Sequence, residues 1–191
     1  MRQKLFPLFI LLMLAFAGQA QTQIHWSDDY KLKVEDFKGT PPNSGFEQNA
    51  VGSFVVSYEI GGGSLITKRN LNKYVSCIFQ TKGSYIDKGS EEGTARLLSY
   101  QQLLFDLYEL QARKLRQKFF QQRTRLLTKG PSAMRKEAAK EHAKLFAQIE
   151  DDTWHGQNSE EIEKWSERIN AELKTLHEFC KDCKPTKKKR K

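Results

Sequence analysis

Residues 90–127 read SEEGTARLLSYQQLLFDLYELQARKLRQKFFQQRTRLL, and this stretch decides the fold class of the chain. Its apolar side chains recur every three or four residues, which predicts one long amphipathic helix. Two glutamates follow Ser90, where carboxylates interact favourably with the helix dipole. The Gly-Pro pair at 130–131 predicts the end of the helix, because glycine favours the position after a helix and proline cannot continue it.

The same apolar spacing predicts two further helices, over 132–150 and 159–179. Before the long helix, three segments are rich in β-branched and aromatic residues and predict strands over 31–37, 50–60 and 71–80. Strands followed by helices are typical of the α+β class. We therefore expect an N-terminal small antiparallel sheet followed by three helices, with the glycines at 61–63 forming a turn.

Length and composition suit one globular domain. The chain has 191 residues, of which 38% are hydrophobic and 29% are charged, which excludes a polytopic membrane protein, a collagen-like chain and a wholly disordered one. We expect a single domain over 21–183, with a β-rich part at 21–90 and a helical part at 91–183.

The net charge of +9 comes from the two ends of the chain. Eight of the 32 lysines and arginines lie in residues 1–20 and 184–191, so residues 21–183 hold 24 cations and 23 anions. A nearly neutral body does not indicate a nucleic-acid-binding surface. The basic segment 184–191 predicts a disordered, solvated tail, and contact with acidic polymers is its functional alternative.

Residues 1–20 have the three parts of a secretory signal peptide. Two basic residues near the start precede an apolar run over 5–17, and Gly18 and Ala20 supply small residues for cleavage before Gln21. The alternative is an uncleaved N-terminal anchor. We expect an exported protein, periplasmic or extracellular, with no transmembrane span after signal cleavage.

Three cysteines follow the leader, an odd number for an oxidising compartment. Cys180 and Cys183 have the spacing of a redox motif or of half a zinc site, but a zinc ribbon needs a second pair. A local disulfide between them, or one bridge to Cys77, is therefore the favoured interpretation.

Several segments in fixed order carry a family resemblance. In chain order they are Trp26-Ser27, Leu32, Asp36-Phe37-Lys38-Gly39, Ser84-Tyr85, Leu97-Leu98, Phe105-Asp106, residues 112–116, Thr153-Trp154-His155-Gly156 and Trp165. Together they resemble the domain of unknown function 922 family, bacterial exported proteins thought to be zinc-dependent proteases. The likeness covers nearly the whole chain after the leader and implies a zincin-like arrangement of the helices.

The sequence departs from that family where the chemistry would lie. The family's central helix carries His-Glu-Gln-x-His-Phe, in which the two histidines hold zinc and the glutamate activates its water. Here residues 100–105 read YQQLLF. The resemblance places Tyr100 at the first ligand, Gln101 at the general base and Leu104 at the second ligand, while His155 keeps the position of a third ligand.

These residue types cannot perform zinc hydrolysis together. Leu104 has no donor atom, and the Gln101 amide has no carboxylate to accept a proton from water. Tyr100 would ligate only as a phenolate, and His155 alone cannot replace the three protein ligands of a catalytic zinc site. We therefore expect no metal cofactor and a pseudoenzyme with a degenerate metalloprotease-like site.

Two interpretations of function remain open. The first is a non-catalytic binding or structural protein of the envelope, with an unidentified envelope or extracellular partner. The second is a hydrolase or peptidase with relocated catalytic or metal-binding residues. Its candidate residues are Asp106, Glu109, Asp151, Asp152 and His155.

Overall fold

The computed structural model of the protein describes residues 22–41 and 49–186. The predicted signal peptide and the lysine-rich end of the predicted tail, residues 187–191, lie outside the described residues. Five helices follow or interrupt a small set of strands. The helices are α1 (Gly62–Thr67), α2 (Glu91–Gln121), α3 (Arg123–Lys129), α4 (Pro131–Asp152) and α5 (Ser159–Thr175).

The strands form two small antiparallel sheets, and with the helices that follow they confirm the predicted α+β class. Strand β4 lies between β1 and β3 in the first sheet, and β2 pairs with β5 in the second. Their bounds are β1 (Gln23–His25), β2 (Ala50–Val51), β3 (Phe54–Tyr58), β4 (Val75–Gln80) and β5 (Tyr85–Ile86).

Helix α2 runs through the centre of the molecule and packs on β3 and β4, α4 and α5. It begins at Ser90, whose Oγ accepts a hydrogen bond from the Gly93 N–H at 3.1 Å. Phe105 of α2 is fully buried against the aromatic residues of the sheet, 5.5 Å from the Phe54 ring and 6.1 Å from the Phe79 ring. Aromatic side chains bury large apolar areas and so contribute strongly to the stability of such a core.

The predicted strand over 31–37 is wrong. Its centre, Val34–Asp36, is a turn of 3-10 helix. Asp36 Oδ2 accepts hydrogen bonds from the Lys33 N–H and the Tyr30 hydroxyl, both at 2.8 Å. A carboxylate that satisfies nearby donors in this way closes a local turn, and the apolar alternation of the segment does not overcome it.

The other predicted elements are present with shifted bounds. The strand over 50–60 is divided at Gly52 and Ser53 into β2 and β3, and the strand over 71–80 begins only at Val75. The long helix predicted to reach residue 127 breaks at Gln122, whose φ of −105° and ψ of 45° are not helical. The third helix ends at Thr175, before a turn of 3-10 helix at His177–Phe179.

The three glycines at 61–63 do not form the predicted turn. They open α1, with Gly61 at its N-cap. The Arg123 guanidinium donates to the Leu65 carbonyl, which lies near the C-terminal end of α1 and would otherwise lack a helical partner. Among the described residues, none of the helices combines the length and the apolar character needed to cross a bilayer.

Candidate functional site

A cleft of about 380 Å³ opens between α2, β2 and the C-terminal end of α4. Helix α2 lines it with Tyr100, Gln101, Leu104 and Tyr108. Because positions 100, 104 and 108 are one helical turn apart, their side chains share one face of α2. The rest of the lining comes from β2 and the residues beside it, from Phe54, and from residues at the end of α4 and in the loop after it.

The structure brings the four predicted degenerate positions into this one cleft. Tyr100, Gln101, Leu104 and His155 all line it. The three α2 residues are buried, whereas the His155 side chain is 76% exposed at the mouth. The spacing within α2 places its three residues on the cleft, and the loop after α4 returns His155 to the same place.

The loop that carries His155 has an unusual backbone. Trp154 and His155 have φ values of 50° and 53°, and Gly156 has 86°. A non-glycine residue in this left-handed region costs about 1 kcal/mol or more. Buried Thr153 fixes the loop: its hydroxyl donates to the Ile149 carbonyl at 2.6 Å and accepts from the Gly156 N–H at 3.3 Å.

The left-handed turn has two consequences for the cleft. It places Trp154 at the mouth with 68% of its surface exposed. It also brings Gly156 against the Tyr100 ring, so closely that a Cβ on Gly156 would lie 2.6 Å from Tyr100 Cδ1. A glycine is therefore required at position 156 for both its φ and its contact.

Glu150 supplies the negative charge of the cleft. Its Oε1 lies 3.6 Å from His155 Nδ1, and none of the described residues that line the cleft is Lys or Arg. Burial first, and then the charge of Glu150, raise the pKa of Tyr100 to about 12. Burial is also the largest of the causes that raise the pKa of Tyr108. Both phenols are therefore protonated at neutral pH.

Gln101 contributes a buried hydrogen-bond acceptor to the cleft. The residue is 2% exposed, and its Oε1 makes no hydrogen bond within the described part of the chain. Its Nε2 is 3.5 Å from the Ala50 carbonyl, at the limit of a hydrogen bond. A Cβ on Gly52 would lie 2.4 Å from Gln101 Oε1, so the glycine is what leaves room for this amide.

The donor atoms of the cleft do not fit a zinc ion. Leu104 offers no donor, the Tyr100 phenol is held in its protonated form, and an amide is a weak substitute for imidazole or carboxylate. Within the described ranges, no three His, Cys, Asp or Glu side chains gather in a way that would hold a metal ion. The side chains of the cleft therefore do not supply the ligands and the base of zinc hydrolysis.

The residues proposed for relocated chemistry are dispersed. Of the five, only His155 lines the cleft. Glu109 is buried and accepts from Arg113 Nε at 3.0 Å and from Arg116 at 2.7 Å. Asp152 accepts from Trp165 Nε1 at 3.1 Å, and Asp151 lies exposed at the end of α4. These carboxylates do not converge on a reaction centre.

Asp106 belongs to a structural network that joins the N-terminal segment to α2. Its Oδ1 accepts from Trp26 Nε1 at 2.7 Å and from Gln102 Nε2 at 2.9 Å. Gln102 Oε1 in turn accepts from the Leu32 N–H at 2.9 Å. Burial is the largest influence on the Asp106 carboxyl and raises its pKa. Residues that carried the family resemblance thus hold the scaffold together.

The cysteines also have structural surroundings. Cys180 and Cys183 form a disulfide with an Sγ–Sγ distance of 2.08 Å, and Cys77 is free and fully buried. Asn72 Nδ2 donates to the Cys180 carbonyl at 3.0 Å and to the Cys183 carbonyl at 3.2 Å. A further bond from this amide, to the Glu178 carbonyl, helps to tie the segment after α5 to the turn before β4.

Sequence reasoning missed several residues of the cleft. Glu150 lies five residues before the predicted His155, yet no motif marks it. Tyr108 continues the face of Tyr100 and Leu104, and that helical spacing is the signal that would have found it. Trp154 lies inside the Thr-Trp-His-Gly segment, and its large exposed ring is visible only in the structure.

Comparisons of the chain with protein-family models, with curated proteins and with solved structures give no match.

Proposed function

We propose that the protein is exported to the periplasm or the cell exterior and acts there as a non-catalytic binding or structural protein. In this proposal it resembles zinc proteases of the domain of unknown function 922 family but uses the corresponding cleft for contact with an envelope or extracellular partner. The basic tail at 184–191 would be available to contact acidic polymers.

One observation carries the proposal: Tyr100, Gln101, Leu104 and His155 line a single cleft. Their side chains form a cavity of small-molecule size, since such sites span about 300–1,000 Å³. The cleft combines aromatic walls with polar side chains such as those of Gln101, Glu150 and His155, and such convergent polar groups fix the orientation of a bound ligand. Its α2 side chains lack the donors and the base that hydrolysis would need.

A second candidate function is a hydrolase with relocated chemistry, and the Glu150–His155 pair is the observation that favours it. A carboxylate beside an imidazole can orient a general base. However, none of the described residues lining the cleft is Ser, Thr or Cys, so the pair has no side-chain nucleophile beside it. A water molecule would have to serve as the attacking group.

Elemental analysis and a peptidase assay test the proposal. We expect the purified protein to contain no stoichiometric zinc after dialysis against zinc, and to cleave no mixed peptide library with or without chelator. A zinc peptidase carried through the same dialysis and assay is the control. One zinc per chain, lost together with activity on adding chelator, would refute the proposal. Chelator-resistant cleavage that disappears in Glu150→Gln would favour the second candidate.

A further inference from the structure

The cleft holds an uncompensated negative charge among aromatic rings. The Glu150 side chain is 34% exposed, and its one ion-pair partner among the described residues is His155, which is charged only when protonated. The rings of Tyr100, Tyr108 and Phe54 line the same space. A carboxylate and the negative faces of aromatic rings both attract a cation.

Two further features of the cleft bear on ligand binding. Gln101 Oε1 is buried without a hydrogen-bond partner in the described chain, which costs about 1–3 kcal/mol unless a donor enters. The backbone strain at Trp154 and His155 keeps a large indole at the mouth, exposed to solvent. Strain of this kind persists where the surrounding structure enforces it, often beside a binding site.

We propose that this cleft binds a primary ammonium group carried on a compact apolar body. The proposal rests on the proposed function, because it names the ligand class of the same cleft. Glu150 supplies the charge, Gln101 Oε1 accepts an N–H, and the apolar body contacts Leu104 and the rings.

Other ligand classes fit the cleft less well. An anion would meet the Glu150 carboxylate without a Lys or Arg among the described lining residues to offset it. A neutral apolar molecule would leave both Glu150 and Gln101 Oε1 partly desolvated and unpaired. A metal ion would find too few donors, as the residues of α2 show.

Calorimetric titration with three probes of one shape tests the inference. The probes are 2-phenylethylammonium, the neutral 2-phenylethanol and the anionic 3-phenylpropionate. We expect the ammonium to bind at least about tenfold more tightly than the alcohol, and the anion to bind more weakly than both. Equal affinities for the ammonium and the alcohol, or tighter binding of the anion, would overturn the inference.

A variant that removes the charge of Glu150 tests whether this carboxylate binds the ammonium. Glu150→Gln keeps the side-chain shape and should lower the ammonium affinity at least about tenfold while leaving the alcohol affinity unchanged. Glu167→Gln, on the exposed face of α5, removes the same charge away from the cleft and should have no effect. His155→Ala frees Glu150 of its partner, so ammonium affinity should stay or rise. Equal losses in all three variants would contradict the proposed site.

The same titration, repeated with a second amine, distinguishes a peptide's lysine from a free small amine as the ligand. Nα-acetyl-lysine methylamide carries the group on a peptide side chain, whereas 2-phenylethylammonium represents a free amine. Tighter binding of the lysine derivative assigns the cleft to a peptide's lysine, and tighter binding of the free amine assigns it to small amines. The two proposals fail separately: stoichiometric zinc would refute the proposed function whichever amines bind, while a zinc-free protein that binds neither amine would overturn this inference alone.

Discussion

Gly156 packs directly against the Tyr100 ring and leaves no room for a side chain at position 156. The glycine has a φ of 86°, and a Cβ at its position would lie 2.6 Å from Cδ1 and 2.7 Å from Cγ of the tyrosine ring. The contact joins the left-handed loop after α4 to the wall of the cleft on α2. The Thr-Trp-His-Gly segment is thus positioned by packing against Tyr100.

Gly156→Ala should lower the free energy of unfolding by about 2–4 kcal/mol, measured by urea denaturation. About 1 kcal/mol comes from the left-handed φ, and the rest from the clash with the Tyr100 ring. In a Tyr100→Ala background the ring is gone, so Gly156→Ala should cost only about 1 kcal/mol. An equal cost in both backgrounds would show that the contact carries no energy.

Helix α2 carries a buried network of ion pairs and hydrogen bonds around Glu109 and Arg116. Glu109 Oε1 accepts from Arg116 Nη1 at 2.7 Å, and the same guanidinium donates to the Val75 carbonyl at 2.9 Å and the Phe179 carbonyl at 3.0 Å. Arg116 is 1% exposed and Glu109 3%. The network therefore fastens β4 and the segment after α5 to the central helix.

Glu109→Gln should destabilise the protein by about 3–5 kcal/mol, because it leaves the buried guanidinium of Arg116 without its counter-charge. The measurement is the urea midpoint, with the m-value checked for a two-state transition. Glu160→Gln is the matched control: it breaks an exposed pair with Lys164 and should leave the midpoint nearly unchanged. Similar shifts for both variants would contradict a structural role for the buried network.

His142 makes the stability depend on pH. Its ring lies 4.4 Å from that of Tyr108, and its buried Nδ1 has no partner in the described chain. Burial lowers the pKa of His142 to about 4 from its ordinary value of 6.5. The folded protein thus keeps the imidazole neutral while the unfolded chain protonates it, so stability falls as the pH drops below about 6.5.

Between about pH 7.5 and about pH 5, we expect this histidine to cost about 1–2 kcal/mol of stability. His142→Phe should remove that part of the pH dependence and should stabilise the fold at the lower pH. The readout is the difference in free energy of unfolding between variant and wild type, in which the other titrating groups cancel. A difference that stays constant over this range would contradict the pKa of His142.

The sequence predicted the elements whose signals are local and repeated. The apolar face of α2, the glycine and proline between α3 and α4, and the spacing of α4 and α5 are each visible within one segment. The strand predicted over 31–37 is wrong because the Asp36 carboxylate accepts local hydrogen bonds that stabilise a turn, despite the apolar alternation of the segment. The short strands β1 and β5, with three and two residues, exist only through their partners and leave too weak a pattern to predict.

The sequence likewise predicted some residues of the candidate site and missed others. Tyr100, Gln101 and Leu104 could be placed on one helix face by counting residues. The charge of Glu150 and the position of Trp154 follow from how α4 ends, and that end depends on the left-handed turn after Thr153. No residue type indicates a left-handed Trp or His in advance, because both prefer negative φ. Long-range packing decides the left-handed conformation of these two residues.

Tyr100→His, Gln101→Glu and Leu104→His together should create a zinc site in the cleft. Positions 100 and 104 both face the cleft, so two imidazoles there would converge on one point. His155 and Glu150 line the same cleft and can supply the third ligand, while the carboxylate introduced at position 101 would act as the base. We expect about one zinc per chain, removable by chelator, with a rise in melting temperature on adding zinc.

The matched control is Tyr100→His with Gln101→Glu, which keeps Leu104. That variant has the same new base but one imidazole fewer, so its α2 ligand pair is incomplete and it should retain no zinc through dialysis. Circular dichroism establishes that both variants fold, and zinc content then separates them. A folded triple variant without zinc would mean that α2 and the loop after α4 do not stand in metal-site geometry. That result would contradict the site arrangement that the family resemblance predicts, whereas zinc in the triple variant alone would show that three side chains separate this protein from a metal-binding one.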